Sequence, residues 1–244
     1  MGEIRPYGDT EAKKKQVRTM FDRIAFRYDF LNRLLSFGVD TGWRRKTVRA
    51  VGSDHPASIL DVATGTGDLA LMLARKIPQA TVTGLDLSPE MLEIGRRKTA
   101  KKQVSNISGM LEGDAEALPF GEGTFDAATV GFGVRNFGDI PAGLAEMHRV
   151  LRPGGKVYIL EFAMPEGKIF GTLYHFYFRR ILPFIGGLVS GEHKAYRYLQ
   201  RSVEDFPYGD RFVGLMEEAG FINITQTPLT KGLALIYRGE KTIK

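Results

Sequence analysis

The chain has 244 residues, 43% hydrophobic and 25% charged, a composition that excludes both a disordered polymer and a membrane-embedded bundle. It has no cysteine, which removes disulfides and thiolate metal sites. The net charge of +6 admits nucleic acid, an anionic membrane surface or plain solubility, and the last is the commonest cause.

The opening MGEIRPYGDTEAKKK lacks the apolar run of a secretion signal, so a cytoplasmic protein is expected. Residues 11–30 carry Val17, Met20, Phe21, Ile24 and Tyr28 at helical spacing, which predicts a helix with one buried face. A short helix is expected from Trp43 to Val51. ASILDVA (57–63) reads as a strand, Asp68–Lys76 as a helix and ATVTGLDL (80–87) as a second strand. Ser88-Pro89-Glu90 reads as a helix start, with a capping serine, proline in the first turn and an acid at the positive end. That helix should run to Lys102. ISGMLEGDA (107–115) and FDAATVGFG (125–133) read as the third and fourth strands. A helix from Asp139 to Leu151 should stop at Pro153-Gly154-Gly155, and KVYILEFA (156–163) reads as the fifth strand. After a helix at 209–219, FINITQT and LALIYRG are too close for a crossover helix and predict an antiparallel hairpin.

Alternating strands and helices imply an α/β fold, a doubly wound and mostly parallel sheet with an antiparallel C-terminal hairpin. One domain is expected: a helical cover (1–52), a cofactor-binding core (57–163), a substrate cover (165–205), and a final helix and hairpin (206–244). Ligands of such sheets bind beyond the carboxyl ends of the strands, so the residues just after each strand carry the function.

LDVATGTGDLA (60–70) places Gly65-Thr66-Gly67 after the first strand and fits G-x-G-x-x-G/A, which by itself suits a dinucleotide as well as S-adenosylmethionine. A pyrophosphate would rest on the helix N-terminus, where Asp68 and nearby Asp61 would repel it. A ligand with an amino group, a cationic sulfur and no phosphate would be attracted. Glycine at 65 and 67 would let the backbone approach it. Asp86, ending the second strand, is placed to accept from ribose hydroxyls under either reading. Asp114 and the Ala115 amide are placed to meet an adenine. The bland alternative for each aspartate is a turn or a cap. Four histidines, at 55, 148, 175 and 193, show no metal-ligand spacing, and no metal is expected.

MFDRIAFRYDFLNRLLSFGVDTGWRR, LDVATGTGD, GDAEALPF, TFDAATVGFGVRNF, EMHRVLRPGGKVYILEF, YRYLQRSVEDFP and EEAGF together resemble the ubiquinone/menaquinone biosynthesis C-methyltransferases, within the Rossmann-like class I S-adenosylmethionine-dependent methyltransferases. The resemblance runs from about residue 17 to the C-terminus. It implies a seven-stranded sheet and methylation of a ring carbon of a prenylated quinol, demethylmenaquinol before 2-polyprenyl-6-methoxy-1,4-benzoquinol. The cofactor positions carried over are Thr66, Asp86, Asp114 and Ala115, with Gly131 a further candidate beside Gly65 and Gly67. One departure is Thr64, where a smaller residue is expected; its hydroxyl is expected to line the pocket without blocking it.

A quinol carbon becomes a good nucleophile when its neighbouring hydroxyl ionises. Arg135 is the candidate for phenolate stabilisation, Asn136 a donor beside it and Glu161 a base. Tyr28, Asn32 and Tyr196 are candidates to frame the substrate. The ordinary alternatives are an Arg135 ion pair, a capping Glu161 and a packed Tyr28. The aromatic run 168–189 is broken by His175, Arg179, Arg180 and Pro183, so it is either a helix on the sheet or an apolar cover with a peripheral membrane contact. No nucleic-acid partner is expected. Competing readings are a methyltransferase for another small molecule or RNA, an NAD-dependent oxidoreductase, and a binding protein on a methyltransferase scaffold.

Overall fold

The computed structural model describes residues 4–8, 11–36, 38–165 and 193–243. Helices α1 (Lys13–Leu35) and α2 (Asp40–Gly52) precede β1 (Ser58–Val62). There follow α3 (Asp68–Lys76), β2 (Thr81–Asp86), α4 (Pro89–Lys102), β3 (Ile107–Glu112) and β4 (Phe125–Gly131). A 3-10 turn (Val134–Asn136) then leads to α5 (Ile140–Val150) and β5 (Leu151–Phe162). The last elements are α6 (His193–Asp205), α7 (Asp210–Glu218), β6 (Phe221–Leu229) and β7 (Ala234–Lys241). The segment 168–189 lies outside the described residues.

The strands form one sheet in the order β3-β2-β1-β4-β5-β7-β6. β1 to β5 are parallel, and β7 pairs antiparallel with both β5 and β6. The winding direction reverses between β1 and β4, which leaves a crevice at their carboxyl ends.

β1 is buried on both faces, as a central parallel strand should be. Ile59 packs with Val48 and Val51 of α2 and Leu69 and Leu73 of α3. Leu60 and Val62, pointing the other way, meet Leu144 and Met147 of α5 and Phe212 of α7. A third apolar cluster sits at the carboxyl edge, where Met20 and Ile24 of α1 join Trp43, Phe132, Phe162 and, from α6, Leu199. Helices α1 and α6 therefore cover the edge where the crevice opens.

Ser88 caps α4 by accepting from the Met91 amide at 3.2 Å. Asp139 does the same for α5, accepting from Ala142 at 3.0 Å. The Ser88 cap matches the sequence pattern; Asp139, read as the first helical residue, caps α5 instead. Several boundaries differ, and α2 starts at Asp40, three residues before the expected Trp43. β3 ends at Glu112, and Asp114 stands beyond it in an isolated bridge to Ala117. α1 runs on to Leu35. β5 begins at Leu151, opposite Phe125, and Ala127 next pairs with Lys156. Pro153-Gly154-Gly155 thus forms a bulge within the strand instead of a loop before it. Gly154 has φ +76°, and a Cβ on Gly155 would lie 2.8 Å from the Arg152 carbonyl oxygen.

Asn106 fixes β2 beside α3, its Nδ2 donating to the Ala74 and Ala80 carbonyls at 2.9 and 2.8 Å. Asn106→Ala strands both carbonyls and should cost about 1–3 kcal/mol of stability. Denaturant melts should show that loss, with cofactor affinity at the far end of the sheet unchanged.

Candidate functional site

The turn after β1 carries three positive φ angles, at Ala63 (+51°), Gly65 (+56°) and Gly67 (+76°). A Cβ on Gly65 would meet only the Tyr28 ring, at 3.6 Å. A Cβ on Gly67 would lie 2.5 Å from Met110 Cε. The second glycine therefore serves backbone angle and packing, not ligand approach. Thr64 lines the smaller of the two cavities described below, but its hydroxyl donates to Asp61 Oδ2 at 2.6 Å. Its methyl is accommodated because residue 84 is glycine, where a Cβ would stand 3.1 Å from Thr64 Cγ2.

The strand-end acids are held firmly. Asp86 accepts from the Gly65 amide (2.7 Å) and the Ser88 amide (2.9 Å), and burial pushes its carboxyl up to about 6. Asp61 accepts from Thr64 and from Thr129 Oγ1, at 2.6 Å, and burial likewise pushes it to about 6. Asp68 is not the free charge that the sequence suggested. Burial opposes its ionisation, yet Lys98 Nζ at 2.6 Å holds its carboxyl below the ordinary range. Lys98 also pairs with Asp29 of α1 at 2.6 Å and donates to Thr66 Oγ1 at 2.9 Å. Thr66 in turn donates to Asp29 at 2.6 Å, so its side chain ties α1 to the turn. The repulsion offered above against a pyrophosphate is therefore weak: Lys98 neutralises Asp68, and two threonines satisfy Asp61.

Asp114 accepts from Lys14 of α1 at 2.6 Å, and the same ammonium lies 2.7 Å from Glu116. Arg18 pairs with Glu112 at 2.8 Å, and Ser88 donates to Asp22 at 2.5 Å. Lys13 Nζ also donates to the Phe137 carbonyl at 2.6 Å, so α1 is fastened along the carboxyl edge at several places.

At the other end of the crevice, Phe132 follows β4 with φ +63°, an unfavourable angle for an aromatic residue, and is fully buried. The next residues turn in the 3-10 helix. Arg135 Nη1 donates to the Phe132 carbonyl and to Glu161 Oε1, both at 2.6 Å. The two side chains are 1% and 0% exposed, and Arg135 Nε and Nη2 have no partner. Glu161 also accepts from the Phe162 amide at 2.8 Å. Burial raises its carboxyl, against the pull of Arg135. Asn136 is buried, with its Oδ1 unpartnered. Tyr28 hydrogen bonds Asn32, and burial pushes its hydroxyl up, opposed by Arg135 and Arg44.

Two cavities share this edge. The larger, about 660 Å³ and open to solvent, is lined by Asp86, Asp114, Ala115, Tyr28, Phe132 and Asn136. The smaller, about 300 Å³, is lined by Arg44, Asp61, Thr64, Thr66, Asp68 and Gly131. Tyr28 and Gly65 line both. Of the predicted residues, Gly65, Thr66, Asp86, Asp114, Ala115, Gly131, Tyr28 and Asn136 therefore meet at one crevice. Asn32 is buried behind Tyr28. Arg135 and Glu161 stand beneath the wall, locked to each other. Tyr196 lies on α6, and its side chain is outside those described.

Sequence reasoning missed Arg44. It is buried, donates to Asp40 at 2.5 Å, lies 5.0 Å from the Phe132 ring centroid, and has an unpartnered Nε. The only signal was the four-residue spacing from Asp40, a helical ion-pair pattern.

A sheet of this order, with a glycine turn after β1 and an acid closing β2, is that of a class I S-adenosylmethionine-dependent methyltransferase. Residues 9–241 match the ubiE/COQ5 methyltransferase family. A Geotalea daltonii protein named ubiquinone/menaquinone biosynthesis C-methyltransferase UbiE is 48% identical over 94% of this chain and 97% of its own. A Thermus thermophilus protein named demethylmenaquinone methyltransferase is 50% identical over 91% of this chain and all of its own, 100%. The crystal structure of a Thermotoga maritima SAM-dependent methyltransferase, a possible histamine N-methyltransferase, shares the fold at TM-score 0.63 and 18% identity, covering 93% of this chain and 100% of that one. The chain belongs to the ubiE/COQ5 methyltransferase family.

Where Asp86 is the acceptor for the cofactor's ribose, as proposed below, it accepts best when ionised, so affinity for S-adenosylhomocysteine should hold at neutral pH and fall as pH drops through about 6. Calorimetry across this range should show that fall in the native chain and in Asp61→Asn, and a flat, weakened profile in Asp86→Asn. Both carboxyls keep protons longer when folded, so each lowers stability as pH rises from the ordinary carboxylate range towards 6.

Proposed function

We propose that the chain transfers the methyl group of S-adenosylmethionine to a ring carbon of a prenylated quinol, with demethylmenaquinol the first substrate and 2-polyprenyl-6-methoxy-1,4-benzoquinol the second. The observation that carries this reading is the family match over residues 9–241, which takes in both cavities and the turn between them. The names of the two relatives supply the substrate class.

The crevice fits the cofactor. Asp86 would accept from the ribose hydroxyls, and Asp114 with the Ala115 amide would meet the adenine once Lys14 yields. Gly65 leaves backbone exposed to it, and Gly131 lines the smaller cavity. The smaller cavity suits the amino-acid end, where Arg44 offers an unpartnered donor to a carboxylate. When bound, the cofactor supplies a methyl already activated on a sulfonium, a group that needs no metal.

The chain's own work is orientation and charge. Asn136 and the protonated hydroxyl of Tyr28 would hold the quinol oxygen as it ionises. Arg135 would stabilise that phenolate by its field, from beneath the wall. Glu161 already accepts from Arg135 and Phe162 and is wholly buried, so its work in this scheme is to hold Arg135 rather than to take the proton. Among the described residues no helix is long and apolar enough to cross a membrane. A prenyl tail resides in a bilayer, so the proposed enzyme is cytoplasmic and works against the inner face of the membrane.

The test is methyl transfer from radiolabelled S-adenosylmethionine to the two reduced quinols in parallel. Label in a lipid product is expected; none in either, with cofactor binding intact, removes the substrate class. Asn136→Ala should lower kcat about 100-fold with cofactor affinity unchanged. Arg44→Gln should weaken S-adenosylhomocysteine binding about 10- to 100-fold. It should leave a decarboxylated analogue unaffected, and equal loss for both ligands would remove Arg44 from the carboxylate.

A further inference from the structure

Between α2 and α3 runs an open groove lined by Arg33, Arg45, Arg49, Arg75, Lys76 and Lys102. All six are exposed, and none makes an ion pair or side-chain hydrogen bond among the described residues. This is unlike α1, whose Lys14 and Arg18 are matched by acids. The one acid on the groove, Asp68, already belongs to Lys98. The groove therefore holds a concentrated positive charge, which only Asp68, already paired with Lys98 and also facing Lys102, offsets. It also meets the crevice, because Arg44 and Asp68 line both the groove and the smaller cavity.

Arg33 brings the C-terminal end of α1 to the groove. Arg33 is seven residues after Phe26 and three after Phe30, so the three share a helical stripe. Phe26 is 93% exposed and Phe30 50%. Isolated apolar residues on a surface need no explanation, but two phenylalanines in line with an unpaired basic groove form a surface of two matched chemistries. Cations collect phosphates, and the adjacent aromatic rings enter an apolar phase.

We propose that this surface docks the enzyme on an anionic bilayer, with Phe26 and Phe30 inserted below the headgroups and the α2–α3 groove seated on lipid phosphates. The inference rests on the reading above, in which the acceptor is a membrane-borne quinol; the juxtaposition of groove and crevice brings that membrane to the methyl-transfer site. An RNA would use the cations, but it would leave the choice of a lipid-facing phenylalanine pair beside a lipid-accepting crevice without a purpose.

The test is flotation of the full chain with phosphatidylglycerol-containing vesicles and with phosphatidylcholine vesicles, alongside transfer to a short-chain quinol in solution. Binding to the anionic vesicles alone, reversed by salt, is expected. Phe26→Ser/Phe30→Ser and Arg45→Gln/Arg49→Gln should each lower the bound fraction about tenfold. Both should keep native transfer to the soluble quinol, which also shows that they fold. Vesicle binding unchanged in both variants overturns the proposal. So does a native chain that methylates the soluble quinol but never floats, or one whose groove retains RNA and not vesicles. Failure of the native chain to methylate any quinol overturns the substrate reading instead, and flotation of the variants still decides the surface.

Discussion

The buried pair between Arg135 and Glu161 is the constraint on which the proposed substrate end of the crevice depends. A buried charge without a partner costs several kcal/mol, so neither residue can stand there alone. Together they join the end of β4 to the end of β5. The same guanidinium holds the Phe132 carbonyl, and this fixes a phenylalanine at a backbone angle that it would not choose. From that anchored point the 3-10 turn carries Asn136 into the cavity. The pair thus converts the order of two neighbouring strands into the position of one amide.

The proposed cofactor end is built on a different principle. There the acids of the strand ends are joined to α1 and to the glycine turn, and the chain that covers the crevice is also its electrostatic complement. Lys14 on Asp114 and Lys98 on Asp29 and Asp68 satisfy carboxylates that would otherwise repel one another across a narrow space. Asp86 and Asp61 are treated otherwise, by neutral donors, and burial raises them. The site therefore separates Asp68, kept ionised by Lys98, from Asp61 and Asp86, kept near the edge of ionisation by burial.

The fold was legible because each parallel strand is a short apolar run between helix signals, and because the last two strands had no room for a crossover. The starts and ends of β3 and β5 were less so: where a strand stops is decided by hydrogen bonds to a neighbour, and Pro153-Gly154-Gly155 reads as a stop although β4 accommodates it as a bulge. Asp86, Asp114, Asn136 and Tyr28 were reachable since topology alone sends strand ends and the first helix to one edge. Pairings were not. Nothing local tells that Arg135 meets Glu161 across 26 residues, or that Lys98 neutralises Asp68 across 30. That is why two aspartates looked like bare negative charge, and why a cation and a base were assigned separately to residues that hold each other.

The central claim is that the buried pair supports the site as a unit and that its cation, in place, serves the reaction. It is tested by comparing Arg135→Met, Glu161→Met and the double variant in stability, cofactor affinity and turnover. Each single change should destabilise the fold by about 3–5 kcal/mol, and the double change should recover most of that. The double variant should bind S-adenosylhomocysteine normally and turn over poorly. Losses that simply add, or a double variant as active as the native chain, would contradict the account.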